Sequence, residues 1–246
     1  MSAYPDQEPL LNNKDYEYGN EVNLDSLINE QLRKGFIVKV YSILLIQILT
    51  TSIFIFFAYY SPLFYNLFIE STLLYIFSIL ILIITFIILI CYPDLLKKVP
   101  YNYIFLGAFT LSEAYFLASF TCQYTVKSVL IALILTITTV VTLTIYASLT
   151  KTDFTIFGGL LFCLLTMSIV GSIILIFVEI KILKLIMDIF VLLLFAGYLI
   201  YDTQLIVKSY TKYQFSIDDY IIASLNLYLD IINIFIRFLG IFGEHK

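Results

Sequence analysis

Tryptophan is absent from the 246-residue chain, histidine occurs once, cysteine three times, and Asp, Glu, Lys and Arg together make up only 13%. Each shortage excludes something. The lone His245 cannot build a His-based triad, a multi-His zinc site or a haem pocket. Cys91, Cys122 and Cys163 stand far apart in or at apolar runs, so neither a disulfide framework nor a Cys metal pair is implied. A net charge of −4 leaves no basic footprint for nucleic acid. A soluble domain carries about 25% charged residues, and half that cannot cover a globule's surface. What is abundant is apolar: 61% of the chain, with Leu73 to Tyr92 and Val129 to Leu149 free of any charge. Each run reaches the roughly 20 residues that cross hydrocarbon, so the lipid bilayer is the solvent.

The chain divides into two parts. Residues 1–35 are polar and acidic, with Pro5 and Pro9, and read as a disordered cytosolic tail. Residues 36–246 read as an all-α transmembrane domain. Its apolar runs fall at Phe36 to Tyr60, Thr72 to Tyr92, Tyr101 to Thr121, Val126 to Leu149, Thr155 to Val178, Ile182 to Val207 and Tyr220 to Phe242, which predicts a seven-helix bundle. The first run lies too far in and is too long for the core of a cleavable signal peptide, so it is expected to direct insertion itself. Tyr59, Tyr60, Tyr92, Tyr101, Tyr103 and Tyr124 take the interfacial role of the missing tryptophans. A cytosolic amino terminus puts Lys14, Arg33, Lys34, Lys97, Lys98, Lys151, Lys208 and Lys212 on that side, against Lys127, Lys181, Lys184 and Lys246 opposite. That bias favours the orientation. A re-entrant seventh run would barely change it.

An Asp near the centre of a membrane helix costs roughly 2.5–3.5 kcal/mol, so each intramembrane acid asks for a reason. Asp188 lies one turn from Lys184, and an i,i+4 pair at the interface is expected for it. In the last run Asp219, Asn226, Asp230, Asn233 and Arg237 recur at offsets of seven, four, three and four, on one face of a helix. Lipid offers such a stripe no hydrogen-bond partner, so it must face protein or water. It serves either to satisfy Asp230 in a sealed bundle or to line a path. Asp202 sits near the same end of the sixth run. At 1.5 Å per residue Asp230 lies about 15 Å and Asp202 about 8 Å from that end. Helix tilt can bring them level. Two carboxylates that meet in low dielectric cannot both ionise cheaply and would share a proton. Deprotonated, they offer Ca²⁺ hard anionic oxygens, with Asn side chains, carbonyls and water completing six to eight ligands. Ca²⁺ and H⁺ are therefore the expected ions, and no resident cofactor is expected.

Ahead of the last run, Ser216-Ile217-Asp218-Asp219 has the spacing of a capping box. Asp218 and Asp219 are then either helix-start acids or a cation-attracting cytosolic mouth. Glu113, mid-way along the third run, is either a hydrogen-bonded structural acid or a third functional carboxylate. In the tail, Asp6 followed by Leu10 and Leu11 fits the acidic dileucine pattern read by endolysosomal sorting adaptors.

Ile200-Tyr201-Asp202-Thr203-Gln204, then Asp218-Asp219-Tyr220, then Ala223 to Phe235, resemble the carboxy-terminal signature of the transmembrane Bax inhibitor motif family. Gly107 to Glu113 and Lys151 to Thr155 resemble its Golgi anti-apoptotic and lifeguard branches. The resemblance runs from about Arg33 to Phe242. It implies a seven-helix fold with the last helix central, and a pH-sensitive Ca²⁺ leak from Golgi or endoplasmic reticulum stores that dampens apoptosis. It assigns Asp202 and Asp230 to the diacid whose protonation gates the path, and Asp218 to an acidic position that affects ion conduction. Some bacterial relatives set an Arg on the second helix against the diacid. Leu73 to Tyr92 has none, so the latch would rely on protonation or borrow Arg237.

Two other readings compete. A non-conducting regulator would bind membrane proteins of cell-death or calcium signalling and use the acids structurally. An intramembrane aspartyl protease also sets two Asp on neighbouring helices. However, Leu227-Tyr228-Leu229-Asp230 lacks the glycines of its GxGD motif and no Pro-Ala-Leu follows, so no enzyme activity is expected.

Overall fold

The computed structural model describes residues 13–66, 70–178, 180–208 and 215–246. Among the described residues seven helices are long and apolar enough to cross a membrane. They are α1 (Asn13–Tyr60), α2 (Thr72–Cys91), α3 (Tyr101–Thr121), α4 (Val126–Leu149), α5 (Gly158–Phe177), α6 (Lys181–Val207) and α7 (Tyr220–Phe242). Helices are the form expected, since they satisfy every backbone group within the segment. Their ends follow sequence chemistry. Ser71 caps α2 and Thr125 caps α4, each side chain accepting a first-turn N–H, while Pro93 and Pro100 bracket the turn between α2 and α3.

The expected runs and the observed spans agree closely, with one difference at the start. Helix α1 begins at Asn13, inside the stretch read as a disordered tail; residues 1–12 lie outside the described part. Nucleation is the costly step of helix formation, and Phe36 to Tyr60 has already met it. The proline-free stretch before Phe36 then extends the helix turn by turn, helped by the Glu30–Lys34 pair at 2.7 Å. The sorting pattern at Asp6, Leu10 and Leu11 falls among the residues not described.

Large apolar side chains such as Leu45, Phe162 and Phe177 point outward, as a bilayer solvent requires. Helices α3 and α7 bury the largest shares of their surface, α5 and α2 the smallest. Helix α7 packs against α6, α4, α1 and α3. It runs the full depth of the bundle. At its start Asp219 is paired with Lys97 of the α2–α3 connection at 3.0 Å. Just past its other end, the Glu244 carbonyl accepts from Thr125 N at 3.0 Å and His245 stacks on Tyr124 with ring centroids 4.3 Å apart. The seventh run therefore extends along the whole length of α3, from the connection before it to the turn after it. Tyr124, expected at the lipid interface, is buried instead. The Tyr59 hydroxyl donates to its carbonyl at 2.9 Å and to that of Thr121, so these tyrosines bind the ends of α1, α3 and α7 together.

Candidate functional site

Asp202 of α6 and Asp230 of α7 are 4% and 3% exposed, and their carboxyl groups lie within hydrogen-bonding reach of each other. Asn226, one turn before Asp230, reaches the Asp202 carboxyl as well. Tyr198, one turn before Asp202, lies in the electrostatic field of both acids. One Asp230 oxygen, Oδ2, is buried with no hydrogen-bond partner. Two carboxylates this close in a buried site cannot both carry their charge cheaply.

The neighbouring sequence explains how α6 is held at this level. Gly158, at the start of α5, lies against Tyr201; a Cβ there would come within 2.8 Å of the tyrosine hydroxyl. Gln204, fully buried, accepts from Phe154 N at 2.8 Å and donates to the carbonyls of Thr152 at 3.0 Å and Ala147 at 3.3 Å. Lys208 Nζ donates to the Thr150 carbonyl at 2.7 Å. Arg33 donates to the carbonyls of Leu205 and, at 2.9 Å, Phe215. Sequence reading missed these three roles. Gln204 stood inside the quoted motif, and Arg33 and Lys208 were counted only for topology. A buried polar residue bonded to backbone carbonyls leaves no periodic trace.

The α7 stripe does not act as a unit. Asp219 forms the reciprocal capping box with Ser216, whose N–H it accepts at 3.0 Å, and its other oxygen holds Lys97. That hydrogen bond and charge raise the Lys97 ammonium above its usual range. Asp218 is exposed at the same end. Asn233 returns its amide to the Leu229 carbonyl at 2.9 Å. Arg237 pairs with Asp188 at 2.8 Å and so is not lent to the diacid. The expected Asp188–Lys184 pair gives way because Lys184 is exposed while Asp188 is buried against Gly240, whose missing Cβ would stand 3.2 Å from Asp188 Oδ2. A buried carboxylate is served better by a weakly hydrated guanidinium than by an ammonium that snorkels to water.

Glu113 belongs to a different face. It is 8% exposed and lies in the electrostatic field of Tyr228, whose hydroxyl is 2.7 Å from Thr51 Oγ1. Gln47 donates to Thr110 at 3.2 Å nearby. The structure does not bring this cluster together with the diacid. Among the described residues no group of three His, Cys, Asp or Glu side chains could hold a metal. Two carboxylates and one amide fall short of the six to eight oxygens that retain Ca²⁺.

Comparison with known proteins follows the same residues. The family described as "Inhibitor of apoptosis-promoting Bax1" matches residues 33–246. The chain is 37% identical to the Golgi anti-apoptotic protein of vaccinia virus (strain Lister) over 229 residues, covering 92% of this chain and 90% of that one. It is 34% identical to protein lifeguard 3 of Homo sapiens over 225 residues, 89% of this chain and 71% of the relative. Protein LIFEGUARD 4 of Arabidopsis thaliana is 37% identical over 242 residues, 93% and 94%.

Proposed function

The chain belongs to the Bax inhibitor family, and from that premise we propose that it restrains cell death as a proton-regulated Ca²⁺ leak in an internal membrane. The Golgi is its favoured location, after the name of the viral relative, with the endoplasmic reticulum the other internal store and the amino terminus cytosolic. The observation that carries the proposal is the buried Asp202–Asp230 contact with Asn226 beside it. Sharing one proton, the pair carries a single negative charge and ties α6 to α7. When the shared proton leaves, two like charges remain in low dielectric, and they separate or take up a cation. A divalent cation offsets both charges at once. Asp218, exposed beside the Lys97–Asp219 pair, then marks the cytosolic mouth.

The test is Ca²⁺ flux in liposomes reconstituted with the whole chain. Flux above that of empty vesicles, changing between about pH 6 and 8, is expected, and Asp230→Asn should lock the response. Absence of flux at every pH, with protection from cell death intact, would replace this reading with that of a non-conducting regulator.

A further inference from the structure

Far from the diacid, at the Tyr124 end, α5, α6 and α7 border a half-open cavity of about 540 Å³. Lys181, Lys184 and Arg237 line it against one described carboxylate, Asp188, which leaves a surplus of two positive charges among the described lining residues. Arg237 spends Nη1 on Asp188, but its Nε is buried and has no hydrogen-bond partner. Helix α6 starts at the same spot, and its N-cap, Ile180, supplies no side-chain acceptor to the first-turn N–H groups. A smaller cavity of about 280 Å³ shares Ser172, Ile176 and Arg237 and continues between α5 and α6. It is bordered by Ile169 and Ile173, both half-exposed on the outer surface.

We propose that the larger cavity is a phosphate-binding site, and that the apolar cleft leading from it makes the ligand the headgroup of an anionic membrane lipid. Each donor present suits a phosphate. The free Nε edge of a guanidinium matches phosphate oxygens, the two ammonium groups are mobile point charges, and an uncapped helix N-terminus favours an anion. An acyl chain fits where Ile169, Ile173 and Ile176 face lipid. Nothing in the site depends on the diacid or on ion conduction.

The experiment uses the full chain in nanodiscs of phosphatidylcholine with a rising fraction of phosphatidylglycerol, reading bound lipid by native mass spectrometry and the thermal midpoint in parallel. The unaltered protein should retain phosphatidylglycerol and melt higher with it. Lys181→Gln/Lys184→Gln should weaken that preference by about thirtyfold, since each lysine near an anionic surface is worth roughly fivefold. Lys127→Gln, exposed at the same end but outside the cavity, should leave it unchanged. Both lysines are exposed, so equal midpoints of variant and parent in pure phosphatidylcholine show that folding is intact. In a second arm inorganic phosphate is added to phosphatidylcholine discs. Protection there, lost in the double variant, keeps the phosphate site but assigns it to free phosphate. An unaltered preference in the double variant, or no response of the parent to either probe, overturns the proposal.

Discussion

Replacing Arg237 by Met tests whether the Asp188–Arg237 pair is the structural anchor the geometry makes it. The side chains are 26% and 8% exposed, and the ion pair spans 2.8 Å between α6 and α7. Removing one partner of a buried pair costs about 3–5 kcal/mol, most of it the penalty of stranding the other charge. Arg237 keeps some access to water, so the lower end applies, about 3 kcal/mol or two orders of magnitude in the unfolding equilibrium. Asp188→Leu together with Arg237→Met strands nothing, and should return stability to within about 1 kcal/mol of the parent. Lys184→Met should cost less than about 0.5 kcal/mol, because that ammonium is exposed. The assay is reversible unfolding in neutral-lipid discs, which keeps anionic lipid out of the neighbouring cavity. A cost below about 1 kcal/mol for Arg237→Met, with a larger one for Lys184→Met, would refute the assignment and restore the pairing expected from sequence spacing.

Gln204→Leu takes its partner from the Phe154 N–H and the Ala147 carbonyl, while the Thr152 carbonyl keeps Lys208 Nζ at 3.3 Å, and should cost about 2–3 kcal/mol by the same unfolding measurement. Tyr228→Phe removes one of the two hydrogen bonds of the Thr51 hydroxyl, which keeps the Gln47 carbonyl at 2.9 Å, and should cost about 1 kcal/mol. Asp153, outside the spans, is held below its usual range by the Thr155 hydroxyl and then the Thr155 backbone N–H. Its contribution is therefore present above the unfolded value near 3.9 and fades as pH falls through the lower folded value. Asp153→Asn should remove that part of the acid-side loss, seen as a flatter melting profile below about pH 4 than the parent's.

The spans were legible because membrane crossing needs length and apolarity, both local properties of sequence. The start of α7 was legible for a similar reason: Ser216 and Asp219 are three residues apart, and a capping box is complete within them. The meeting of Asp202 with Asp230 was only half legible. Spacing put both acids near one end of adjacent helices, but tilt decides contact, and tilt comes from packing such as Gly158 against Tyr201. Arg237 was the clearest miss. Periodicity set it on the face shared with Asp230, yet a face seven residues further along meets a different part of α6, where Asp188 waits 49 positions away in sequence. Tyr124 misled because an aromatic at a helix end suits a headgroup equally well as it suits the carboxy-terminal segment that covers it here.

The two acidic contacts between α6 and α7 differ in a way that bears on how a proton could act on this bundle. Asp188 has a guanidinium beside it, joined by a charge-assisted bond that offsets its charge directly. The Asp202–Asp230 pair has no cation in hydrogen-bonding contact among the described residues, since Arg237 is engaged elsewhere and Arg33 and Lys208 are turned to backbone carbonyls. Its neutrality depends on protons or on a passing cation. A response to pH along this helix pair should accordingly localise to the diacid level, leaving the Asp188–Arg237 end as a fixed pivot. Arg237→Met alone should lower stability while preserving any pH dependence of flux, whereas Asp202→Asn should flatten that dependence. The opposite pattern would place the proton's action at the wrong end of α7 for this reasoning to stand.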